Sequence, residues 1–312
     1  MALYLITGIA GFIGSSLARE LLARGENVRG VDNLSTGNRS NLAEICDRID
    51  FREADILNLD AMHNACAGAD FVLHQAAIPS VPKSVLDPLG SNRANIDGTV
   101  NVLVAARDAK AKRVVYAASS SAYGDTPTLP KHEGMKPDPI SPYAVAKLAS
   151  EHYMVSFYRC YGLETVCLRY FNIFGPRQDP SSPYSGVLAK FITQMLRGEQ
   201  PTINGDGEQS RDFTYIDNAV EANLLACNAP ANKAAGEVFN VATARRVTLN
   251  ETFKALQSLT GYKGPAKYGP ERGGDIKHSL ADISKAETGL SYTPKVDFEE
   301  GLRRTVEWYR GN

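Results

Sequence analysis

The sequence predicts an α/β fold in which a doubly wound parallel sheet is joined by a smaller C-terminal α/β lobe. Short apolar strand patterns alternate with helical patterns through the first half of the chain, and a glycine-rich turn follows the first strand. After Arg169 the composition changes, and Pro, Gly, Ser and Asn cluster at 174–186 and 198–211. Such alternation is typical of a parallel sheet with right-handed crossovers. The 312 residues are enough for two lobes.

The individual elements follow from the hydrophobic periodicity. The predicted strands are residues 3–7, 27–31, 50–53, 71–74, 113–118, 164–169 and 238–241. The predicted helices are residues 15–24, 94–106, 143–160, 186–196, 217–227, 248–260 and 298–309, with a loop at 265–275. We assign 1–175 and about 215–245 to the first lobe, and about 176–214 and 246–312 to a substrate-binding lobe. Long polar loops are often functional, which makes 174–186 and 198–211 candidate binding segments.

The turn after the first strand predicts a dinucleotide site of the Rossmann type. Its residues expected against a cofactor are Gly8, Gly11, Phe12, Ile13 and Gly14. Glycines allow a tight turn and close backbone approach, and the following helix offers unpaired N–H groups to a pyrophosphate. Asp32 ends the second strand, where an acid suits the ribose hydroxyls of adenosine. Because Asp32 and the adjacent Asn33 disfavour a 2′-phosphate, we expect NAD rather than NADP.

Two further strand ends are candidates for the cofactor. Asp55 and Ile56 follow the third strand and are expected near the adenine, while Gln75, Ala76 and Ala77 follow the fourth. Ligands of such sheets bind at the carboxyl ends of the strands. An ordinary strand-end loop is the alternative for both segments.

Tyr143 and Lys147 stand four residues apart in a segment that opens with Ser141 and Pro142, a typical N-cap and first helical residue. The spacing places the phenol and the ammonium on one helix face. A cation favours the phenolate, so we expect Lys147 to lower the pKa of Tyr143 from its ordinary ~10 and to make it a general base. A surface helix with the same spacing is the alternative.

Bulk composition narrows the class of protein. The net charge of −1 indicates no nucleic-acid partner. We find no signal peptide, and the apolar run 100–106 is far shorter than the ~20 residues that span a bilayer, so no membrane partner is expected. Five cysteines without close pairing favour a reducing cytoplasm. Five scattered histidines show no metal-ligand spacing, so no metal is predicted.

The order of glycine turn, serine cluster at 119–121 and Tyr-x-x-x-Lys resembles the extended short-chain dehydrogenase/reductase family. The serines alone read equally well as a polar strand cap. The resemblance covers nearly the whole chain and is closest to UDP-sugar 4-epimerases, especially those acting on UDP-N-acetylglucosamine. It is carried by residues 7–14, 76–82, 119–124, 143–147, 168–176, 204–217 and 272–286.

The resemblance implies roles for individual residues. Tyr143 would be the base, Lys147 would lower its pKa and bind the nicotinamide ribose, and Ser119 would assist at the sugar O4. The implied substrate contacts are Ser80, Val81, Ser120 and Tyr123 at the sugar, Asn172 at phosphate or sugar, Val187, Thr202 and Asn204 at the uridine, and Arg211 and Arg272 at the pyrophosphate. Guanidinium forks suit a pyrophosphate. From the residues alone, either arginine reads equally as a surface charge.

The implied reaction is epimerisation at C4 through a 4-keto sugar, with NAD retained. Similar dehydratases carry Asp-Glu after the Ser or Thr, and similar decarboxylases carry a nearby Glu, whereas this chain has Ser120 and Ser121. The acid-base pair for elimination is therefore missing. The remaining alternatives are a UDP-glucose 4-epimerase restricted to non-acetylated sugars, a UDP-uronate epimerase and, outside the enzymes, a nucleotide-binding sensor. The family also implies a homodimer through helices 94–106 and 143–160.

One position bears on sugar size. Ser279 stands where epimerases restricted to non-acetylated sugars resemble one another in carrying a bulky Tyr. A small side chain there leaves room for a 2-acetamido group, so we hypothesise that UDP-GlcNAc and UDP-GalNAc are accepted, alongside UDP-Glc and UDP-Gal. The alternative is that Ser279 is simply a small loop residue.

Overall fold

A computed structural model describes residues 1–180, 186–271 and 276–311. The strands are β1 (Leu3–Thr7), β2 (Asn27–Asp32), β3 (Asp50–Glu53), β4 (Phe71–His74), β5 (Arg113–Ser119), β6 (Glu164–Tyr170), β7 (Ile173–Phe174), β8 (Thr202–Asn204), β9 (Ser210–Asp212), β10 (Thr214–Tyr215), β11 (Glu237–Val241), β12 (Arg246–Thr248) and β13 (Lys267–Gly269). Seven of them form one parallel sheet in the order β11-β6-β5-β4-β1-β2-β3. The order reverses between β1 and β4, so the predicted doubly wound sheet is confirmed.

Helices cover both faces of this sheet. They are α1 (Phe12–Ala23), α2 (Leu59–Cys66), α3 (Val81–Leu86), α4 (Pro88–Asn92), α5 (Gly98–Asp108), α6 (Pro142–Tyr161), α7 (Val187–Leu196), α8 (Ile216–Asn228), α9 (Ala231–Ala234), α10 (Leu249–Thr260), α11 (Ser284–Leu290) and α12 (Phe298–Gly311). Successive strand residues alternate between two hydrophobic clusters, as Val114 and Val115 do in β5. Because both faces are buried, the strands read as continuous apolar runs.

The smaller lobe contains short paired strands instead of one sheet. β7 pairs with β10, β9 with β12, and β8 with β13. The prediction of a loop at 265–275 is wrong where β13 lies, since β13 pairs with a strand about 65 positions earlier. The partly exposed residues of β13 supply no apolar run that would have revealed it. The predicted lobe boundaries stay a prediction.

The region predicted as one helix at 94–106 is instead built from the end of a π-helical turn and the α-helix α5. Asp87 caps α4 through a hydrogen bond from Gly90 N to its Oδ1 (2.8 Å), a π-helical turn follows at Arg93–Asp97, and α5 then begins at Gly98. The Asp87-Pro88 pair is a typical helix start that places the beginning of this region earlier. The start of α6 is as expected: Ser141 Oγ accepts a hydrogen bond from Ala144 N at 3.2 Å, and Pro142 opens the helix.

Candidate active site and cofactor cavity

A cavity of about 810 Å³ lies at the carboxyl ends of the central strands. It is at the point where the strand order reverses, which is where ligands of doubly wound sheets bind. Many residues predicted for the site line it: Gly8, Gly11, Phe12, Ile13, Gly14, Asp32, Asn33, Asp55, Ile56, Gln75, Ala76, Ala77, Ser80, Ser119, Ser120, Tyr143, Lys147 and Asn172.

The glycine-rich turn between β1 and α1 has no room for side chains. Gly8 adopts φ +71°, and a Cβ there would lie 2.8 Å from Ala76 Cα and N; a Cβ on Gly14 would lie 2.2 Å from Gly8 O. Gly11 is the N-cap of α1 and supplies no side-chain cap. The N-terminal N–H groups of α1 are therefore directed at the cavity without a capping side chain, an arrangement that suits a pyrophosphate.

Two acidic residues mark the far end of the cavity. Asp32 is buried; its Oδ2 accepts a hydrogen bond from Ala10 N (2.9 Å) and its Oδ1 accepts one from Leu34 N (2.8 Å). Burial raises the pKa of Asp32, while these hydrogen bonds oppose the shift. Asn33 Nδ2 donates to Asp55 Oδ2 at 2.8 Å. A carboxylate held in place at the end of β2 fits the ribose hydroxyls of NAD, and its charge disfavours a 2′-phosphate.

Tyr143, Lys147 and Ser119 meet at the other end of the cavity. Ser119 and Tyr143 both line the cavity, and the Ser119 side chain is near enough to the phenol to act on its pKa. Tyr143 N donates to Ser84 Oγ at 3.0 Å, which fixes the first turn of α6 against α3. Lys147 Nζ donates to Ala117 O at 2.7 Å and lies 4.7 Å from the centre of the Tyr116 ring. The predicted spacing therefore brings hydroxyl, phenol and amine to the end of β5.

Two residues at this end of the cavity have shifted pKa values. Burial raises the pKa of Tyr143, and the Ser119 hydrogen bond opposes that shift. Burial lowers the pKa of Lys147 to about 7. Desolvation of the phenolate is the largest influence on Tyr143, and the expected effect of Lys147 on the pKa of Tyr143 stays a prediction. In this arrangement Ser119 is the group that favours the phenolate.

Two residues expected at the sugar lie elsewhere. Tyr123 is only 1% exposed, and its hydroxyl donates to Asn240 Oδ1 at 2.7 Å, so it is a core residue that does not line the cavity. Val81 opens α3 and is 41% exposed to solvent, outside the cavity lining. Val81 directly follows the lining residue Ser80, and Tyr123 follows the lining residue Ser120 by three positions. Closeness in sequence was a poor guide because neighbouring side chains point in different directions.

The remaining predicted substrate residues form a separate group in the smaller lobe. Val187, Thr202, Asn204, Arg211 and Ser279 do not line the cavity, and Arg272 lies outside the described residues. Within this group Arg211 Nη1 donates to Ser210 O (3.0 Å) and Lys277 O (3.2 Å). Ser279 N donates to Ser210 O at 3.0 Å. Arg211 and Ser279 are thus attached to the same strand, β9.

Several lining residues were missed by sequence reasoning. They are Ser35, Thr36, Gly37, Asn38 and Asn41 after β2, Lys83 and Arg93 near α3 and α4, and Tyr170, Arg177, Gln178 and Asp179 after β6. Gly37 carried a usable signal, since it follows Asp32 closely and a Cβ there would lie 2.8 Å from Asp32 Oδ2. Arg93 carried none, because a single basic residue on a helix is usually a surface charge.

Comparison with known proteins agrees with this geometry. The model of the NAD dependent epimerase/dehydratase family matches residues 4–242. The chain belongs to this family. A UDP-glucose 4-epimerase from Mycolicibacterium smegmatis is 38% identical over 310 residues, covering 98% of both chains. The crystal structure of a UDP-glucose 4-epimerase from Thermotoga maritima with UDP-glucose is 40% identical, with a TM-score of 0.94 over 99% of both chains.

A second solved structure is similar to the same extent. The UDP-N-acetylglucosamine 4-epimerase of Methanobrevibacter ruminantium, in complex with UDP-N-acetylmuramic acid, is 41% identical, with a TM-score of 0.93 over 99% of this chain and 98% of that one. The protein is therefore an NAD-dependent enzyme that groups with UDP-sugar 4-epimerases. No helix among the described residues is both long and apolar enough to cross a bilayer.

Proposed function

We propose that this enzyme interconverts the C4 epimers of a UDP-hexose, and that it accepts UDP-GlcNAc and UDP-GalNAc as well as UDP-Glc and UDP-Gal. The observation that carries the proposal is the placement of Ser119, Tyr143 and Lys147 in the lining of the same cavity that holds the glycine turn. Tyr143, which can accept a proton from a hydroxyl group, therefore lies in the same cavity as the dinucleotide site.

The residues present can perform both halves of the reaction. Tyr143 receives the O4 proton of the sugar, and Ser119 stabilises the phenolate by its hydrogen bond. Bound NAD supplies the reversible acceptor for the C4 hydride. Tyr143 later returns the proton to O4 after the sugar has turned its other face. Lys147, whose pKa is about 7, can hold a positive charge beside the cofactor site at neutral pH.

Substrate binding is proposed to join the two lobes. Asn172, Ser80 and Ser120 line the cavity and are available to the sugar and the phosphate. Arg211 and Ser279 lie on segments joined through β9 and are assigned to the pyrophosphate and the sugar, and Arg272 is proposed as a second pyrophosphate ligand. In this proposal the smaller lobe, with Val187, Thr202 and Asn204, holds the uridine firmly while the hexose is left room to rotate.

The proposed acceptance of acetylated sugars depends on Ser279. The two similar crystal structures, at 40% and 41% identity, are enzymes named for glucose and for N-acetylglucosamine, so overall identity does not favour either sugar. A short hydroxymethyl side chain leaves space beside the sugar that a phenol would fill. We expect Ser279→Tyr to reduce kcat/KM for UDP-GlcNAc selectively; an equal fall for UDP-Glc would contradict the assignment.

The reaction itself is tested by product analysis. Purified protein is incubated with UDP-GlcNAc, UDP-Glc or UDP-glucuronate without added NAD, and the 4-epimers are resolved by proton NMR. We expect UDP-GalNAc and UDP-Gal. Epimer from UDP-Glc alone would reject the acetylated substrates, and epimer from the uronate alone would favour a UDP-uronate epimerase. No epimer from any of them, with NAD still bound, would favour a nucleotide-binding sensor.

We also propose a homodimer that pairs α5 and α6 with their copies. α6 exposes Val145, Tyr153 and Tyr161, and the neighbouring α3 and α4 expose Leu86 and Leu89, which are 80% and 74% accessible. Exposed apolar groups of this kind are typical of a protein interface. Sedimentation should give a dimer mass, and Val145→Glu should shift it to a monomer. A wild-type monomer would reject the interface. The cytoplasmic location stays a prediction.

A further inference from the structure

Asp212, at the end of β9, is a buried carboxylate with no cationic partner among the described residues. It is 0% exposed and belongs to none of the salt bridges of residues 1–180, 186–271 and 276–311. Its Oδ1 accepts hydrogen bonds from Thr243 N (2.9 Å) and Thr243 Oγ1 (2.8 Å), and its Oδ2 accepts one from Ala281 N (3.2 Å). One side chain therefore joins three segments that are distant in sequence.

Two of the three joined segments carry a residue assigned to the substrate. Arg211 precedes Asp212 on β9, and Ser279 lies two residues before Ala281. Asn172, which lines the cavity, donates from Nδ2 to the main-chain O of Asp212 at 3.3 Å. β9 continues the connection, because Ser279 N donates to Ser210 O at 3.0 Å. Asp212 is thus placed where the pyrophosphate, sugar and cavity residues meet.

We propose that Asp212 is the positioning residue of the substrate site, holding Arg211, Asn172 and Ser279 in the arrangement that binds the nucleotide sugar. This inference rests on the proposed function. Asp212 does not touch the reacting atoms; it acts through the segments that its carboxylate connects. Its removal should therefore weaken substrate binding and leave the chemistry at Tyr143 and the retention of NAD unchanged.

The cost of burying this group supports a role beyond packing. A buried carboxylate without a cation is costly, and hydrogen bonds from uncharged donors offset that cost only in part. Burial raises the pKa of Asp212 to about 6 in spite of its hydrogen bonds. An amide has the same shape, but its NH₂ would face either Thr243 or the N–H of Ala281. Asp212→Asn is therefore a sharp test, since it retains volume and loses one link.

Charged and titratable side chains also lie on the elements packed against Asp212. Arg211 is directed to Ser210 O and Lys277 O, and His278 Nδ1 hydrogen-bonds Ser210 Oγ at 2.9 Å. Arg246 is the β12 residue opposite Asp212 in the strand register. Tyr292 donates its hydroxyl to Ala242 O, and burial together with Asp212 raises its pKa far above neutral.

The sign of the pH effect follows from the raised pKa. Below about pH 6 Asp212 takes up a proton in the folded protein, whereas in the unfolded chain it does so only near 3.8. A proton on Oδ2 removes the acceptor of Ala281 N, so KM should rise as the pH falls through 6. The same shift makes this group stabilise the fold as the pH falls from 6 toward 3.8, so a rise in KM cannot come from unfolding caused by Asp212.

The test compares KM, kcat and bound NAD for wild type, Asp212→Asn and Thr243→Val between pH 5 and 8. The substrate is a UDP-sugar, because both of its phosphates are esterified or anhydride-linked and neither titrates near pH 6. Asp282→Asn is the matched control; Asp282 is on the same segment, but among the described residues its carboxylate accepts hydrogen bonds from Ser284 alone, at 2.9 Å from N and 2.6 Å from Oγ.

We expect Asp212→Asn to raise KM by about tenfold at pH 7.5, with kcat changed less than about threefold and NAD retained. Thr243→Val should raise KM about threefold, and the control should not raise it. The rise in KM below pH 6 should be present in wild type and absent in Asp212→Asn.

A wild-type KM in Asp212→Asn, or an equal fall in kcat and NAD content, would overturn the positioning role. If Asp212→Asn does not fold, Thr243→Val tests the positioning role through the same measurements of KM, kcat and NAD content. Absence of epimerisation by wild type would instead reject the proposed function. In that case the binding of UDP, measured by calorimetry, tests the positioning role of Asp212. Equal affinity in wild type and Asp212→Asn would reject this role, and a tenfold loss of affinity would support it.

Discussion

The cofactor half and the substrate half of the site are built in different ways. The cofactor half uses the ends of neighbouring parallel strands, and its decisive residues, from Gly8 to Gly14 and at Asp32, come from one continuous β1-α1-β2 unit. The proposed substrate half combines Asn172, β9 and the segment around Ser279, which are joined by hydrogen bonds of side chains and of the main chain. Main-chain packing therefore shapes the first half, and polar links between distant segments shape the second.

The two halves should therefore be sensitive to different kinds of substitution. In the cofactor half an added methyl group meets backbone, as a Cβ on Gly8 or Gly14 does, and backbone cannot move aside cheaply. In the substrate half the loss of a single carboxylate or hydroxyl detaches a segment without a steric clash. We therefore expect cofactor loss from small steric changes and KM effects from polar changes.

The largest expected effect is at the boundary of the two halves. Tyr143→Phe should lower kcat by about 10³-fold, within the range for removal of a general acid-base group, while NAD and UDP still bind. The measurement is steady-state kinetics together with the NAD content of the purified protein. Tyr153→Phe, on the exposed side of the same helix, is the control and should keep wild-type kcat. Residual kcat near wild type in Tyr143→Phe would exclude this tyrosine as the base.

The next effect concerns the support beneath the cofactor half. The Glu151 carboxylate on α6 accepts hydrogen bonds from Arg169 Nε at 2.9 Å and from Arg169 Nη2 at 2.6 Å. Both side chains are buried. Removing one partner of a buried pair typically costs about 3–5 kcal/mol, so Glu151→Gln should lower the free energy of unfolding by that amount.

Glu299→Gln is the control for this change. It breaks an exposed pair with Arg245, in which both side chains are more than half accessible, and should cost at most about 1 kcal/mol in urea titrations. Equal losses in the two variants would show that burial of the Glu151–Arg169 pair is not the source of its importance.

A smaller effect isolates the steric component of the glycine turn. Gly8 and Gly25 both have positive φ, +71° and +80°, but a Cβ on Gly25 meets nothing within 4 Å. Alanine pays the left-handed penalty of about 1–2 kcal/mol at either site, and only Gly8→Ala adds a clash worth about 1–3 kcal/mol. The unfolding temperature measured by calorimetry and the content of bound NAD should both fall further in Gly8→Ala than in Gly25→Ala. Similar NAD contents in the two variants would mean that the close approach to Ala76 is not needed.

The last effect is a pH dependence, which is small for each unit of pH. Burial lowers the pKa of Lys147 to about 7 in the folded protein, against 10.5 for the ordinary side chain. Between these values the unfolded chain holds a proton that the native protein lacks, so the contribution of Lys147 to stability rises with pH, by at most ~1.4 kcal/mol per unit. The unfolding free energy of wild type minus that of Lys147→Met should therefore increase from pH 7 to 10. A constant difference would place the lysine in a solvated site.

The parts of the molecule that were predicted share one property: their signals are local. All seven strands of the central sheet lie within one residue of the predicted bounds, because β1, for example, is a buried apolar run bounded by turn residues. The Ser141-Pro142 start of α6 was likewise legible in the sequence. Tyr123 shows the limit, since the same serine-rich segment supplies cavity residues and a buried core phenol.

The doubly wound fold, the glycine turn with Asp32 and the position of Tyr143 and Lys147 on one helix could be predicted from the sequence. The effect of burial on the pKa values of these two residues, the pairing of β13 with β8 and the link that Asp212 makes between three distant segments arise only in the folded chain. The reason is physical. Periodicity and turn chemistry act over a few residues, whereas desolvation and hydrogen bonds between remote segments exist only once the chain has folded.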